Sequence, residues 1–179
     1  MNKTAQTELQ RLFLIEGLPE PLTPASSHLQ LFDNYIENTR LRLRKMRDPS
    51  TKTWTRVLQQ RFSMDEDHGT VSKLAEIDLN DVEYAAFDRL IGREIRKNRY
   101  FHEVDLVSVA FDVFLGPLWG LITARVDFET REAMEDYIPP PIFIFEVSND
   151  PFFFGENLVE KNFADVQNEV AKIGHQNQV

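Results

Sequence analysis

Apolar and polar residues alternate with a period of two along much of this chain. The sharpest case is Thr39-Arg40-Leu41-Arg42-Leu43-Arg44, where an extended backbone sets three arginines on one face and two leucines on the other. Wound as a helix, the same residues would scatter their charges and leave no apolar stripe, so the pattern predicts a strand. Alternation or short apolar runs predict further strands over Leu9–Ile15, Leu29–Ile36, Trp54–Phe62, Val71–Ile77, Ile95–Val104, Leu106–Leu115, Leu121–Glu129 and Ile142–Val147. Breakers punctuate them. Pro19, Pro21 and Pro24 make Gly17–Ser27 a loop, Asp48-Pro49-Ser50 is a turn, and Met64–Thr70 is acidic and exposed. Gly116-Pro117-Leu118-Trp119-Gly120 is the five-residue connection of a hairpin.

Three segments carry helix signals instead. In Asn80–Ile91, Asn80 can cap, Glu83 follows three residues on, Val82, Ala85, Ala86 and Leu90 form an apolar stripe, and Gly92 stops the helix. Thr130 caps a short helix ending near Tyr137, because no helix continues through Pro139-Pro140-Pro141. Leu158, Val159, Phe163, Val166, Val170 and Ile173 recur at near-helical spacing, which predicts a C-terminal helix over about 157–173 with Phe152-Phe153-Phe154 packed beneath it.

About eight strands in meander order are enough to close a sheet and remove its edges. The predicted fold is α+β, an eight-stranded antiparallel β-barrel, or tunnel, with flanking helices and a single domain over 1–179. Closure changes the meaning of the arginine face. On an open sheet it would face water, whereas alternate residues of a barrel strand point outward or into the lumen. Guanidiniums at alternate positions suit a phosphate-rich ligand, since each is permanently charged and offers a fork of donors.

Composition narrows the ligand. Twenty Lys and Arg against 29 Asp and Glu give a net charge of −9, which argues against broad nucleic-acid binding and makes any cationic site local. No apolar run reaches the roughly 18 residues of a membrane span. The absence of cysteine and of an apolar leader makes a cytoplasmic location the expectation. His28, His68, His102 and His175 lack zinc-ligand spacing, and neither a nucleophile elbow nor a glycine-rich phosphate loop occurs.

Four short motifs, in order, resemble those of the CYTH family, the triphosphate tunnel metalloenzymes. Arg40-Leu41-Arg42-Leu43-Arg44 is similar to the family's Arg-x-Arg-x-Lys/Arg strand, and Lys97-Asn98-Arg99-Tyr100 to its Lys-x-Arg-Tyr segment. The stretch from Asp112 to Leu121 resembles the Asp-x-Phe-x-Gly-x-Leu-x-Gly-Leu hairpin, and Glu146-Val147-Ser148-Asn149-Asp150 the Glu-Val-Thr-x-Asp run. The resemblance implies a tunnel in which basic side chains hold a triphosphate and inward carboxylates hold divalent cations. Carried over by position, Arg40, Arg42, Arg44, Lys97 and Arg99 would contact phosphates, with Arg56, Arg61 and Arg125 as additions.

The acidic half departs from the family. The Glu-x-Glu-x-Lys strand aligns with Glu8-Leu9-Gln10-Arg11-Leu12, so only Glu8 remains. Ala110 and Arg125 stand where acids are usual, and Ser72 and Leu74 are neutral. Glu8, Asp112 and Asp127, joined by Glu129, are left as a metal shell for at most one Mg²⁺ or Mn²⁺. Two readings follow: a metal-dependent triphosphate hydrolase of weak activity whose catalytic residues are unassigned, or a non-catalytic relative that binds polyphosphate, a nucleotide or a protein partner.

Overall fold

In the computed structural model, which describes residues 5–63 and 69–176, eight strands close into a barrel. They are β1 (Gln6–Leu14), β2 (Leu29–Ile36), β3 (Leu41–Asp48), β4 (Thr53–Ser63), β5 (Val71–Asp78), β6 (Gly92–Val104), β7 (Val107–Phe114) and β8 (Ile122–Phe128). They hydrogen-bond in the order β5-β4-β3-β2-β6-β7-β8-β1, and β1 pairs with β5 to complete the ring. Every pairing is antiparallel, but the order departs from the simple meander expected, since β2 pairs with β6 and β1 is inserted between β8 and β5. Most of the acidic loop read over Met64–Thr70 lies outside the described residues.

Register decides which residues face inward. Arg42 lies opposite Tyr35 on β2 and Gln59 on β4, and Arg44 opposite Asp33 and Val57. Arg99 lies opposite Asp112, and Arg125 opposite Ala110 on β7 and Leu12 on β1. The intervening residues of β1, β6, β7 and β8 point outward, where Phe13, Tyr100, Val109, Phe111, Ala124 and Val126 form one buried cluster. Leu18 and Leu22 of the proline-rich loop, with Tyr137 and Phe143, cover it. The Tyr100 hydroxyl donates to the Pro24 carbonyl at 3.2 Å, so the apolar wall keeps its buried phenol satisfied.

A second cluster caps one end of these strands. Leu14, Ile95 and Phe114 meet Leu118, Leu121, Val147, Phe153, Leu158 and Val166. The last three belong to a C-terminal segment made of a 3-10 turn (Pro151–Phe153), a short helix, and a long helix over Phe163–Gln176. Phe163 approaches the hairpin connection so closely that a side chain on Gly120, whose φ is +110°, would put its Cβ 2.7 Å from the ring.

Between β5 and β6 comes helix α1 (Asp81–Phe87), between β8 and the triple proline α2 (Arg131–Asp136), and the C-terminal pair are α3 (Gly155–Leu158) and α4 (Phe163–Gln176). A two-residue strand, β9 (Phe145–Glu146), pairs with the end of β1 that extends past β5. Three expectations change. Helix α1 has the expected capping box, with Asn80 accepting from Val82 and Glu83, but stops at Phe87, and none of its residues is buried. Val82 is 81% and Ile91 75% exposed, and the backbone from Gly92 enters β6 directly. The strand expected over Ile142–Val147 shrinks to β9, since the prolines before it donate no ladder hydrogen bonds and Ile142 and Ile144 face solvent. The C-terminal helix starts later than 157 because Asn162 caps α4, accepting from Ala164 and Asp165 while Asp165 accepts from Asn162. Among the described residues, no helix is long and apolar enough to cross a membrane.

Candidate functional site

The barrel encloses a cavity of about 730 Å³ whose wall is cationic. Among the described residues, eight lining side chains are Lys or Arg and four are Asp or Glu, the reverse of the charge balance of the whole chain. Such concentration inside a low-dielectric wall strengthens attraction for a small polyanion.

Strand β3 supplies the first bank of charge. Arg42 donates through Nε and Nη2 to the Gln59 carbonyl oxygen at 2.8 and 2.5 Å, and Gln59 donates in turn to Glu76. Arg44 forms a fork-to-fork pair with Asp33 at 2.5 and 2.7 Å, both residues being buried. Arg40, just before β3, stacks over Phe62 at 4.4 Å and lines the cavity. Strand β6 supplies the second bank. Arg99 pairs bidentately with Asp112 at 2.6 and 2.7 Å, and Lys97 contacts the same carboxylate at 2.7 Å. Arg61 on β4 holds Glu8 at 2.5 Å and reaches Gln10 at 3.1 Å. Arg125 on β8 reaches Asp127 at 3.0 Å, and its Nε is the one buried side-chain polar atom without a hydrogen-bond partner among the described residues.

These pairings set the protonation states. Burial pushes the carboxyls of Asp33 and Asp112 up, but Arg44 and Arg42 around the first, and Arg99 and Lys97 around the second, hold both well below the usual carboxylate range. Burial opposes the charge of Lys97 more than Asp112 supports it, with Arg99 adding repulsion, and brings its ammonium down to about 8. Arg125 is lowered to about 10, by burial and then by Arg99, against the pull of Asp127, Asp112 and Glu8.

Arg40, Arg42, Arg44, Arg61, Lys97, Arg99 and Arg125 therefore line one cavity. Arg56 does not join them. It lies five residues from Arg61 on the same strand, hence on the outer face, where it pairs with Asp81 at 2.6 Å and sits over Trp54 and Tyr84. The expected metal shell is not assembled either. Asp112 is held by Arg99 and Lys97, Glu8 by Arg61, and Asp127, more than half exposed, by Arg125. Glu129 lies beyond the end of β8 and is exposed. Glu146 is taken up by Arg11 through two hydrogen bonds, at 2.9 and 2.6 Å. No group of three or more acids or histidines among the described residues is disposed to hold a metal ion. The described carboxylates, as they stand, do not fit one.

Sequence reasoning missed Asp33, Gln59 and Tyr35. Asp33 carried a signal: on the alternating strand Leu31-Phe32-Asp33-Asn34-Tyr35 it shares a face with Leu31 and Tyr35, so an inward acid was legible there. Its partner was not, because cross-strand register to Arg44 is a tertiary fact.

No protein-family model matches the chain. An inorganic triphosphatase of Nitrosomonas europaea is 26% identical over 150 residues, which cover 80% of this chain and 91% of that protein. The crystal structure of the inorganic triphosphatase NE1496 matches with a TM-score of 0.56 at 21% identity, over 85% of this chain and 93% of that one. A crystal structure described as the hypothetical protein NE1496 matches with a TM-score of 0.57 at 20% identity, over 87% and 99%. The eight-stranded barrel expected from the sequence is thus the fold that this chain shares with the inorganic triphosphatase NE1496.

Proposed function

We propose, from the tunnel fold shared with an inorganic triphosphatase, that this lumen binds a linear triphosphate, with inorganic tripolyphosphate as first candidate, and hydrolyses it to diphosphate and phosphate. The observation that carries the reading is the convergence of inward cations from β3, β4, β6 and β8 on one cavity of about 730 Å³, a volume suited to a small ligand. Phosphoryl transfer to water asks the protein mainly for alignment and charge neutralisation. Arg42 on β3 and Lys97 on β6 both line the wall and would neutralise non-bridging oxygens, while the Asp33–Arg44 and Asp112–Arg99 pairs hold two guanidinium planes fixed. A divalent cation, Mg²⁺ or Mn²⁺, is the cofactor the resemblance implies for turnover. Since the acids at hand are engaged by cations, no step here passes through it.

Phosphate release from tripolyphosphate, thiamine triphosphate and ATP should be followed for wild type and Arg42→Ala. Release from tripolyphosphate that falls at least ~10-fold in the variant is the expected result, the worth of one charge-assisted contact. Neither release nor binding of any triphosphate would overturn the reading. The same engagement of Glu8, Asp112 and Asp127 favours a second reading, a binding protein without turnover; tripolyphosphate binding with no release under any condition would select it.

A further inference from the structure

The departure of the acidic half from the family pattern has a positive counterpart at Arg125. On β8 this residue lies opposite Leu12 on one side and Ala110 on the other, both uncharged, so the ladder neighbours leave its charge to the lumen. Its guanidinium lines the cavity and touches Asp127 at 3.0 Å. The three carboxylates expected to hold a metal, Glu8, Asp112 and Asp127, are the acids whose charge acts on it, and its buried Nε still has a donor to offer. A divalent ion entering there would have to detach Asp112 from Arg99 and Lys97, and Glu8 from Arg61, while lying beside a fixed positive charge.

We propose that the Arg125 guanidinium stands in for the divalent cation, so that tripolyphosphate binds this lumen without metal. Arginine suits the substitution because it offers permanent charge and directional donors to phosphate oxygens without needing a carboxylate cage. The inference rests on the triphosphate reading above and is tested by binding rather than turnover. Calorimetric titration of inorganic tripolyphosphate into wild type is made in excess chelator and in Mg²⁺, corrected for the complex the metal forms with the free anion. The two dissociation constants should agree within about threefold, a difference below 1 kcal/mol. Arg125→Ala should weaken binding in chelator by about 10- to 100-fold, the loss of one charge-assisted contact. Arg125→Asp, which adds a carboxylate beside Asp127, should lose binding in chelator and regain it with Mn²⁺, with a matching Mn²⁺ signal in electron paramagnetic resonance that wild type lacks. Wild-type binding that appears only with the metal would overturn the inference and leave the triphosphate reading standing. An Arg125→Ala protein that melts like wild type and binds equally well in chelator would also overturn it. Absence of tripolyphosphate binding in every condition would overturn both.

Discussion

Replacing Asp33 by asparagine removes one charge from the centre of the barrel while keeping the shape of the side chain. Asp33 is fully buried and accepts two hydrogen bonds from Arg44, at 2.5 and 2.7 Å, with Arg42 at 3.9 Å. In Asp33→Asn the Arg44 charge, itself only 7% exposed, loses its counterion, and breaking a buried pair from one side costs about 3–5 kcal/mol. For a chain of this size that corresponds to a fall in Tm of roughly 6–20 °C. The same change makes the lumen more cationic and frees the Arg44 fork for a phosphate, so tripolyphosphate should bind more tightly. A tenfold gain is worth about 1.4 kcal/mol at saturation, an additional upward shift of about 3–6 °C over that seen in wild type. Differential scanning calorimetry with and without tripolyphosphate measures both numbers. A Tm loss under about 3 °C would show that Arg44 does not depend on Asp33, since it equates to little more than 1 kcal/mol. An anion-induced shift no larger than in wild type would refute the idea that Asp33 competes with the ligand.

Other outcomes follow from the same geometry. With Lys97 at about 8, its ammonium is charged below that pH and neutral above, so affinity for tripolyphosphate should decline as pH rises through 8. Binding near pH 8 should take up a proton, seen as a buffer-dependent heat, and Lys97→Arg should remove both effects. Asp33 and Asp112 have carboxyls held below their unfolded values, so the stability they contribute is present above the ordinary aspartate range and is lost as pH falls below it; Asp112→Asn should flatten the acid limb of a Tm-against-pH curve. Phe153→Ala, at a site 4% exposed, should cost about 3–5 kcal/mol by urea titration. Gly155→Ala should disturb Tyr35, because the added Cβ would lie 1.8 Å from the Tyr35 hydroxyl; weaker tripolyphosphate binding with a changed tyrosine absorbance is the expected reading.

The strands were legible where alternation was strict. Arg40, Arg42 and Arg44 had to share a face, and once the sheet closed that face could be the lumen. The same arithmetic separates Arg56 from Arg61, since two residues five apart on one strand face opposite sides, yet both were expected to contact phosphate and the structure turns Arg56 outward. What the chain could not disclose was who pairs with whom. The hold of Arg99 and Lys97 on Asp112, and of Arg61 on Glu8, depends on registers between strands far apart in sequence. Helix α1 shows a complementary limit. Val82 and Leu90 fit an apolar stripe, yet a stripe is buried only if a partner surface lies against it, and periodicity carries no information about the partner.

Phe153, Phe154 and Glu156 line the same cavity as Arg42 and Lys97, and Gly155 rests on the Tyr35 ring whose hydroxyl meets Arg42. The final segment of the chain is thus both a structural cap and a piece of the ligand's container. Docking of that segment and occupancy of the lumen are then linked equilibria, each strengthening the other by the same free energy. A bound anion should slow amide exchange in α3 and α4, and anything that pries those helices loose should release the anion.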